Sequence, residues 1–316
     1  QRMLTWLSAA VSRDLVEAVS EDHRRLLAQR TLMATQTTLA AHAAATRVVP
    51  QLAAAGVVDV RVLKGCATAI LEYSPHGHRY SSDVDLLIRP SDWDTALSVL
   101  PAAGIPIVRS NNFQRRYGKA TTLRDESGVE IDLHTMLTHG YFGLMIPIDE
   151  LMGNTESFEI GGIEMLALDR PSRLIHAANH VAASEYIGMH SARDVLQIAL
   201  GDGESWRLAI DRSERWKVDG LFAAGVVKAW GMFEVGSHPL LDWASLHRAS
   251  ARQRTALWVM GDRAHGPQMT GPLALPPHRW PGYVGPFLFP SRTFLASRDE
   301  DRRSLGKRIA QELRES

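Results

Sequence analysis

Two aspartates one residue apart, Asp83 and Asp85, open the apolar run Leu86-Leu87-Ile88 in the stretch HRYSSDVDLLIRP. A run of that composition reads as a buried strand, and a buried carboxylate is costly unless it is paired, hydrogen-bonded or bound to a metal. Residues i and i+2 of a strand share a face, so both carboxylates can reach one divalent cation. A third acid, Asp132, lies in VEIDLHTML, where Val129, Ile131 and Leu133 define one face and Glu130, Asp132 and His134 the other. If the two strands pair, Asp132 joins the other two acids, and three carboxylates can hold two Mg²⁺ ions, with Mn²⁺ as the alternative metal. Such a site activates an oxygen nucleophile and shields a triphosphate at once. The plainer alternative is that Asp83 caps or salt-bridges locally and Asp85 faces solvent at a sheet edge.

The elements that must position these acids can be followed along the chain. Residues 3–55 are rich in Ala and Leu and read as two or three helices, with 20–49 free of Gly and Pro and able to form one long helix. Val57–Leu63 reads as a strand closed by Gly65, CATAILEY as a helix, and the segment with Pro75 and Gly77 as a loop. The acidic strand ends at Pro90. A helix follows to Gly104, with Ser91 as its candidate N-cap and Asp94 at the capping-box position. IPIVRS and RYGKATTLRD read as strands, and Asp125 to Gly128 as a turn before the strand of Asp132. A short β-like piece follows Gly153. A helical region then runs to about residue 260, an irregular Gly/Pro-rich segment covers 261–292, and a charged helix closes the chain at roughly 298–315.

The composition is that of a globular protein, and a formal net charge of +0 excludes a global field that would draw the chain to nucleic acid or an anionic membrane. Cys66 is the only cysteine, which excludes an intramolecular disulfide and a Cys-based zinc cluster and fits a reducing, cytoplasmic setting. The chain has no apolar stretch long enough to span a membrane, and QRMLTWLSAAVSRDL meets Arg13 and Asp14 too soon for a signal peptide.

LKG at 63–65, RYSSDVDLL at 79–87 and VEIDLH at 129–134 together resemble the DNA polymerase β-like nucleotidyltransferase superfamily, and more closely its bacterial branch of uncharacterised nucleotidyltransferases. RLIHAANHVAASEY, ARDVL and LFPSRTFLASR are also similar to that branch, so the resemblance covers most of residues 57–292. The superfamily pattern is a Gly-Gly or Gly-Ser pair, a helix, an Asp-x-Asp or Asp-x-Glu, and a third carboxylate on a later strand. This chain departs from it by carrying Lys64-Gly65-Cys66 at the first position. It also places seventeen residues between Gly65 and Asp83, a longer spacing than usual, with the extra length in the 74–82 loop.

The resemblance implies an α+β fold: a small mixed β-sheet core at 56–165, a helical lead-in at 1–55 and a mostly helical C-terminal part at 166–316. It implies that Asp83 and Asp85 ligate the metals and that Asp132 ligates one of them and helps deprotonate an acceptor hydroxyl. Gly65 and Lys64 would line the triphosphate pocket, and Arg79, Ser81 and Ser82 would touch phosphates. The implied reaction is Mg²⁺-dependent transfer of an NMP group from an NTP to a small-molecule or peptide acceptor, with release of pyrophosphate. A toxin-like or tRNA-modifying nucleotidyltransferase is one alternative, and a non-catalytic nucleotide-binding or scaffold protein another.

Other features have competing readings. His176 and His180 share a helix face at i and i+4, but HAANH lacks the Glu of a zinc-protease motif. They are helix-packing residues or, as the resemblance favours for His180 and Asp194, part of a helical wall that closes over the nucleotide. His134 shares the face of Asp132 as a supporting partner, a substrate contact or an ordinary strand histidine. Arg115, Arg116, Lys119 and Arg124, interleaved with Phe113 and Tyr117, read as protection of a sheet edge rather than a nucleic-acid surface.

Overall fold

The computed structural model describes residues 20–73, 79–109, 117–184, 188–201, 203–261 and 266–289. The expected closing helix at 298–315, most of LFPSRTFLASR, and Phe113, Arg115 and Arg116 lie outside the described residues.

The first described element is one long helix, α1 (Glu21–Ala54), capped by Ser20, whose hydroxyl accepts from the His23 amide. It runs on through Pro50, past the expected end at 49. The lost N–H is tolerated because Ala41, Ala44, Ala45, Val48 and Leu52 form a buried stripe at helical spacing. Chain order continues with β1 (Arg61–Val62), α2 (Lys64–Leu71), β2 (Asp83–Leu87), α3 (Trp93–Ala102), β3 (Ile107–Arg109), β4 (Ala120–Arg124) and β5 (Glu130–His134). Two short helices, α4 (Gly140–Met145) and α5 (Ile148–Gly153), lead to the hairpin β6 (Thr155–Ile160) and β7 (Ile163–Leu168). Gly161 and Gly162 turn this hairpin at φ 57° and 81°, angles at which only glycine is unstrained. The helices α6 (Arg170–Ala183), α7 (Met189–Leu200), α8 (Ser205–Arg215), α9 (Asp219–Trp230), α10 (Pro239–Leu246) and α11 (Ala251–Gly261) follow.

The seven strands form one mixed sheet in the order β3-β4-β5-β2-β1-β7-β6. The β2–β5 and β1–β7 pairs are parallel and the rest antiparallel. Alternation along the strands divides its two faces. Val84, Leu86, Ile131, Leu133 and Leu123 pack with α1 and α3 in one hydrophobic core. Leu63, Leu87 and Leu168 join a second core built by α4 to α11. The three aspartates sit on this second face, between the sheet and the helical part.

Some elements differ from the expectation. Strand ladder bonds cover only Arg61–Val62 of the expected strand 57–63, where β1 meets Leu86 and Leu87 on one side and Ala167 on the other. Ser91 does not cap α3 with its side chain; its hydroxyl bonds Asp92 within a short 3₁₀ turn at Pro90–Asp92. The strand of Arg124 is not an edge: β3 covers β4, and Glu130 on β5 pairs with both Arg109 and Arg124 at 2.7 Å. The segment 261–292 is less irregular than its Gly and Pro content implies. It holds 3₁₀ turns at Pro267–Leu273 and Pro277–Arg279 and a helix α12 (Trp280–Leu288), anchored by buried Tyr283, whose hydroxyl donates to the Gln268 carbonyl. Among the described residues no helix is long and apolar enough to cross a membrane.

Candidate active site

The parallel register of β2 and β5 places Asp83 opposite Glu130, Asp85 opposite Asp132 and Leu87 opposite His134. The antiparallel register of β4 adds Thr122 opposite Asp132. Partners on neighbouring strands project to the same side of a sheet, so the acids, His134 and Thr122 share one face. That face floors a cavity of about 530 Å³, lined also by Lys64, Gly65, Ser82 and Arg79, by Lys119 and His139, and on the helical side by Arg173, His176, His180 and Asp194.

Asp85 is the most buried of the three acids, at 4% exposure. Its Oδ1 accepts from Lys64 Nζ at 2.9 Å and pairs with His134 Nε2 at 2.7 Å. Burial by itself would raise the Asp85 carboxyl, but the Lys64 ammonium and the His134 ring outweigh it and hold the group well below the usual carboxylate range. His134 is pushed down mainly by burial, against the pull of Asp85, and stays neutral. With Asp85 ionised, the His134 proton belongs on Nε2, and Nδ1 is left as a buried acceptor without a partner. Asp132 accepts from the Thr122 hydroxyl at 2.5 Å.

Donor atoms of Asp85, Asp132 and His134 lie within 4.8 Å of one another, close enough to hold one metal ion. Asp83 lines the same cavity from the half-buried start of β2 and stands outside that tighter group. Two carboxylates backed by a third match the oxygen preference of a hard divalent cation, so the residues present fit Mg²⁺ or Mn²⁺.

Lys64 begins α2 at φ 37°, a left-handed angle that costs a lysine energy and so marks a constrained position. Gly65 follows because nothing larger fits: a Cβ there would collide with Ser81 Oγ and lie 2.9 Å from Ser81 Cβ. Ser81 is therefore buried under α2 rather than exposed on the cavity wall. Its hydroxyl donates to the Asp83 carbonyl at 3.0 Å, and its amide donates to Thr38 on α1 at 3.2 Å. Cys66 is buried beside it, and burial pushes its thiol up to about 12, so it is no nucleophile at neutral pH.

Arg79 reaches the cavity wall with its guanidinium already engaged. It grips Asp194 of α7 in a fork, Nε to Oδ1 at 2.8 Å and Nη2 to Oδ2 at 2.8 Å, and donates to the Tyr80 carbonyl. Tyr73 donates to the same Asp194 at 2.9 Å. The pair joins the segment before β2 to the helical part. His176 and His180 do share one face of α6 and meet the cavity, where burial and the nearby lysines push His176 well down and His180 down to about 3. His139 is likewise pushed down to about 3. All three are neutral acceptors or donors at pH 7.

Sequence reasoning overlooked Thr122, Arg173 and His139, and it placed Lys119 on a surface. Thr122 was within reach: counting outward from the turn at Asp125 to Gly128 brings it opposite Asp132. The other three carry no periodic signal, because they enter the site from loops and from a helix remote in sequence.

A solved antigenic nucleotidyltransferase-like protein from Paracoccidioides brasiliensis is similar at 15% identity, covering 57% of this chain and 87% of its own, with a TM-score of 0.36. No curated protein matches. The uncharacterised nucleotidyltransferase family matches over residues 1–234, which takes in the whole sheet and all three aspartates, and the chain belongs to that family.

Proposed function

We propose that the chain is a divalent-metal-dependent enzyme that moves a nucleoside monophosphate from an NTP to a hydroxyl or phosphate oxygen of a small-molecule or peptide acceptor. The acceptor oxygen forms a bond to the α-phosphorus, the bond to the bridging oxygen breaks, and pyrophosphate leaves with the electron pair. One observation carries this reading: Asp85 and Asp132 occupy one rung of a parallel ladder and face a cavity that also holds Asp83 and the start of α2.

In this reading Asp83, Asp85 and Asp132 hold Mg²⁺, which would neutralise phosphate charge and make the acceptor oxygen more acidic. Asp132 takes the acceptor proton. Thr122 fixes the Asp132 carboxylate by donating to it, and His134 and Lys64 fix Asp85 in the same way. Leu63, the N-cap of α2, offers no side-chain acceptor, so the first N–H groups of the helix are available to phosphate oxygens beside Gly65 and Ser82. His180 meets the nucleotide from the helical wall. Arg79 acts through Asp194, closing that wall over the cavity, and Ser81 acts by seating Gly65.

The test is a calorimetric titration of each NTP with Mg²⁺, followed by transfer from labelled NTP in a cell extract with mass identification of the product. Binding that disappears in folded Asp83→Ala/Asp85→Ala is expected. Absence of NTP binding in the wild type, or binding unchanged in the double variant, overturns the proposal.

A further inference from the structure

Lys119 is the cation of this cavity that no acid grips directly among the described residues, although Asp85 and Asp132 draw on its charge from across the cavity. The other basic side chains on the wall are matched: Lys64 with Asp85, Arg79 with Asp194, Arg173 with Glu72 and Glu156, and Arg109 with Glu130. The Lys119 ammonium makes no hydrogen bond or ion pair with any described residue. Its backbone is nonetheless held firmly. The Thr135 amide donates to the Lys119 carbonyl at 2.9 Å, and the Thr135 hydroxyl donates to the Gly118 carbonyl at 2.6 Å. The side chain is thus delivered into the cavity by a fixed turn at the entry to β4.

Its surroundings reinforce the point. On the helical side its charge acts on His139, His176 and His180, which are neutral and cannot balance it. Burial, with the like charge of Lys64 added, outweighs the pull of Asp85 and Asp132 and brings the Lys119 ammonium down to about 8. The Lys119 side chain is half-buried, and a partly desolvated charge with no direct partner gains most from an anion that enters the cavity. An ammonium on a flexible stem suits a phosphate oxygen as a point charge.

We propose that Lys119 is a phosphate-binding residue of the cavity, receiving an anionic oxygen of a bound substrate from the β4 side while the start of α2 serves the opposite side. This inference rests on the nucleotidyl-transfer reading of the same cavity. The phosphate has two sources: the polyphosphate tail of the nucleotide, or a phosphate carried by the acceptor.

The experiment uses the full chain and three probes: pyrophosphate, a non-hydrolysable ATP analogue with Mg²⁺, and orthophosphate added to protein saturated with that analogue. Each is titrated by calorimetry into wild type, Lys119→Met, Lys119→Gln and Lys119→Arg, with thermal melting to verify the fold. Lys119→Met and Lys119→Gln are expected to weaken at least one probe on the order of tenfold or more, with Lys119→Arg recovering most of it. Loss of pyrophosphate and analogue binding assigns the nucleotide tail. Loss confined to orthophosphate in the saturated protein assigns the acceptor. Affinities within about twofold of wild type for all three probes, in variants that melt normally, overturn the inference. Wild-type protein that binds pyrophosphate through Lys119 but no analogue would instead remove the nucleotidyl reading and leave the phosphate subsite standing.

Discussion

A half-buried Lys64 and a buried Asp85 form an ion pair at 2.9 Å, with the aspartate shared between the lysine and His134. Each charge depends on the other for its place in the protein. Asp85→Ala strands the Lys64 ammonium and is expected to cost about 3–5 kcal/mol. Lys64→Met combined with Asp85→Leu removes both charges and should recover most of that loss. Urea unfolding of the three proteins decides it, and a double variant no more stable than Asp85→Ala contradicts the pairing.

In the proposed metal site Asp132 is a ligand and Thr122 its support from the neighbouring strand. Asp132→Asn is expected to weaken Mn²⁺ binding by at least about tenfold, and Thr122→Val, which only frees the carboxylate to turn, by on the order of tenfold. Both should fold, since neither leaves a buried ion unpaired. Mn²⁺ affinity equal to wild type in Asp132→Asn would take this residue out of the metal site.

Gly65 is limited by space. Gly65→Ala forces Ser81 to move and is expected to destabilise by roughly 1–3 kcal/mol. Adding Ser81→Gly removes the atoms in the way and should return part of the stability, less the hydrogen bond to the Asp83 carbonyl. Melting curves that show no suppression argue that the strain lies elsewhere.

Arg79 and Asp194 stand or fall together. Arg79→Ala or Asp194→Ala is expected to cost about 3–5 kcal/mol, with the double variant far from additive. Arg79→Lys should not rescue, because a point charge cannot reproduce the two-pronged contact. A residue that served only to bind phosphate would leave the melting temperature untouched in all of these, and that result would restore Arg79 to a direct role.

Acid should weaken the ligand-free protein well before carboxylates protonate. His139, His176 and His180 are neutral in the fold, with His139 and His180 near 3, against an ordinary value of 6.5. Between those limits the unfolded chain binds more protons, so stability is full above 6.5 and falls as pH drops through the window. The slope is about 1.4 kcal/mol per pH unit for each histidine. Urea midpoints at pH 7.5, 6 and 5 measure it, and His180→Gln should flatten the decline. A midpoint constant across that range contradicts burial of neutral rings.

Much of this protein is written locally. The D-x-D pair and Asp132 declare themselves because a strand has period two, and a polar residue at every second place in an apolar run is visible without neighbours. The long first helix, the strand of Asp83 and the hairpin carrying Asp132 follow from composition and turn residues for the same reason. The resemblance of LKG, RYSSDVDLL and VEIDLH to a nucleotidyltransferase rests on these short local patterns too.

What no local pattern contains is the rung that sets Asp85 opposite Asp132, because the pairing joins strands 47 residues apart in register and depends on the whole sheet order. The same holds for the partners of the basic residues. Arg79 meets Asp194 across 115 positions, and Lys64 meets Asp85 across 21, while Lys119 forms no direct ion pair among the described residues. Charge pairing is a matter of distance in space, and distance in space is set by packing. The sequence by itself determined which residues could do chemistry; only the tertiary structure decided which of them are already paired with each other and which face the cavity without a direct partner among the described residues.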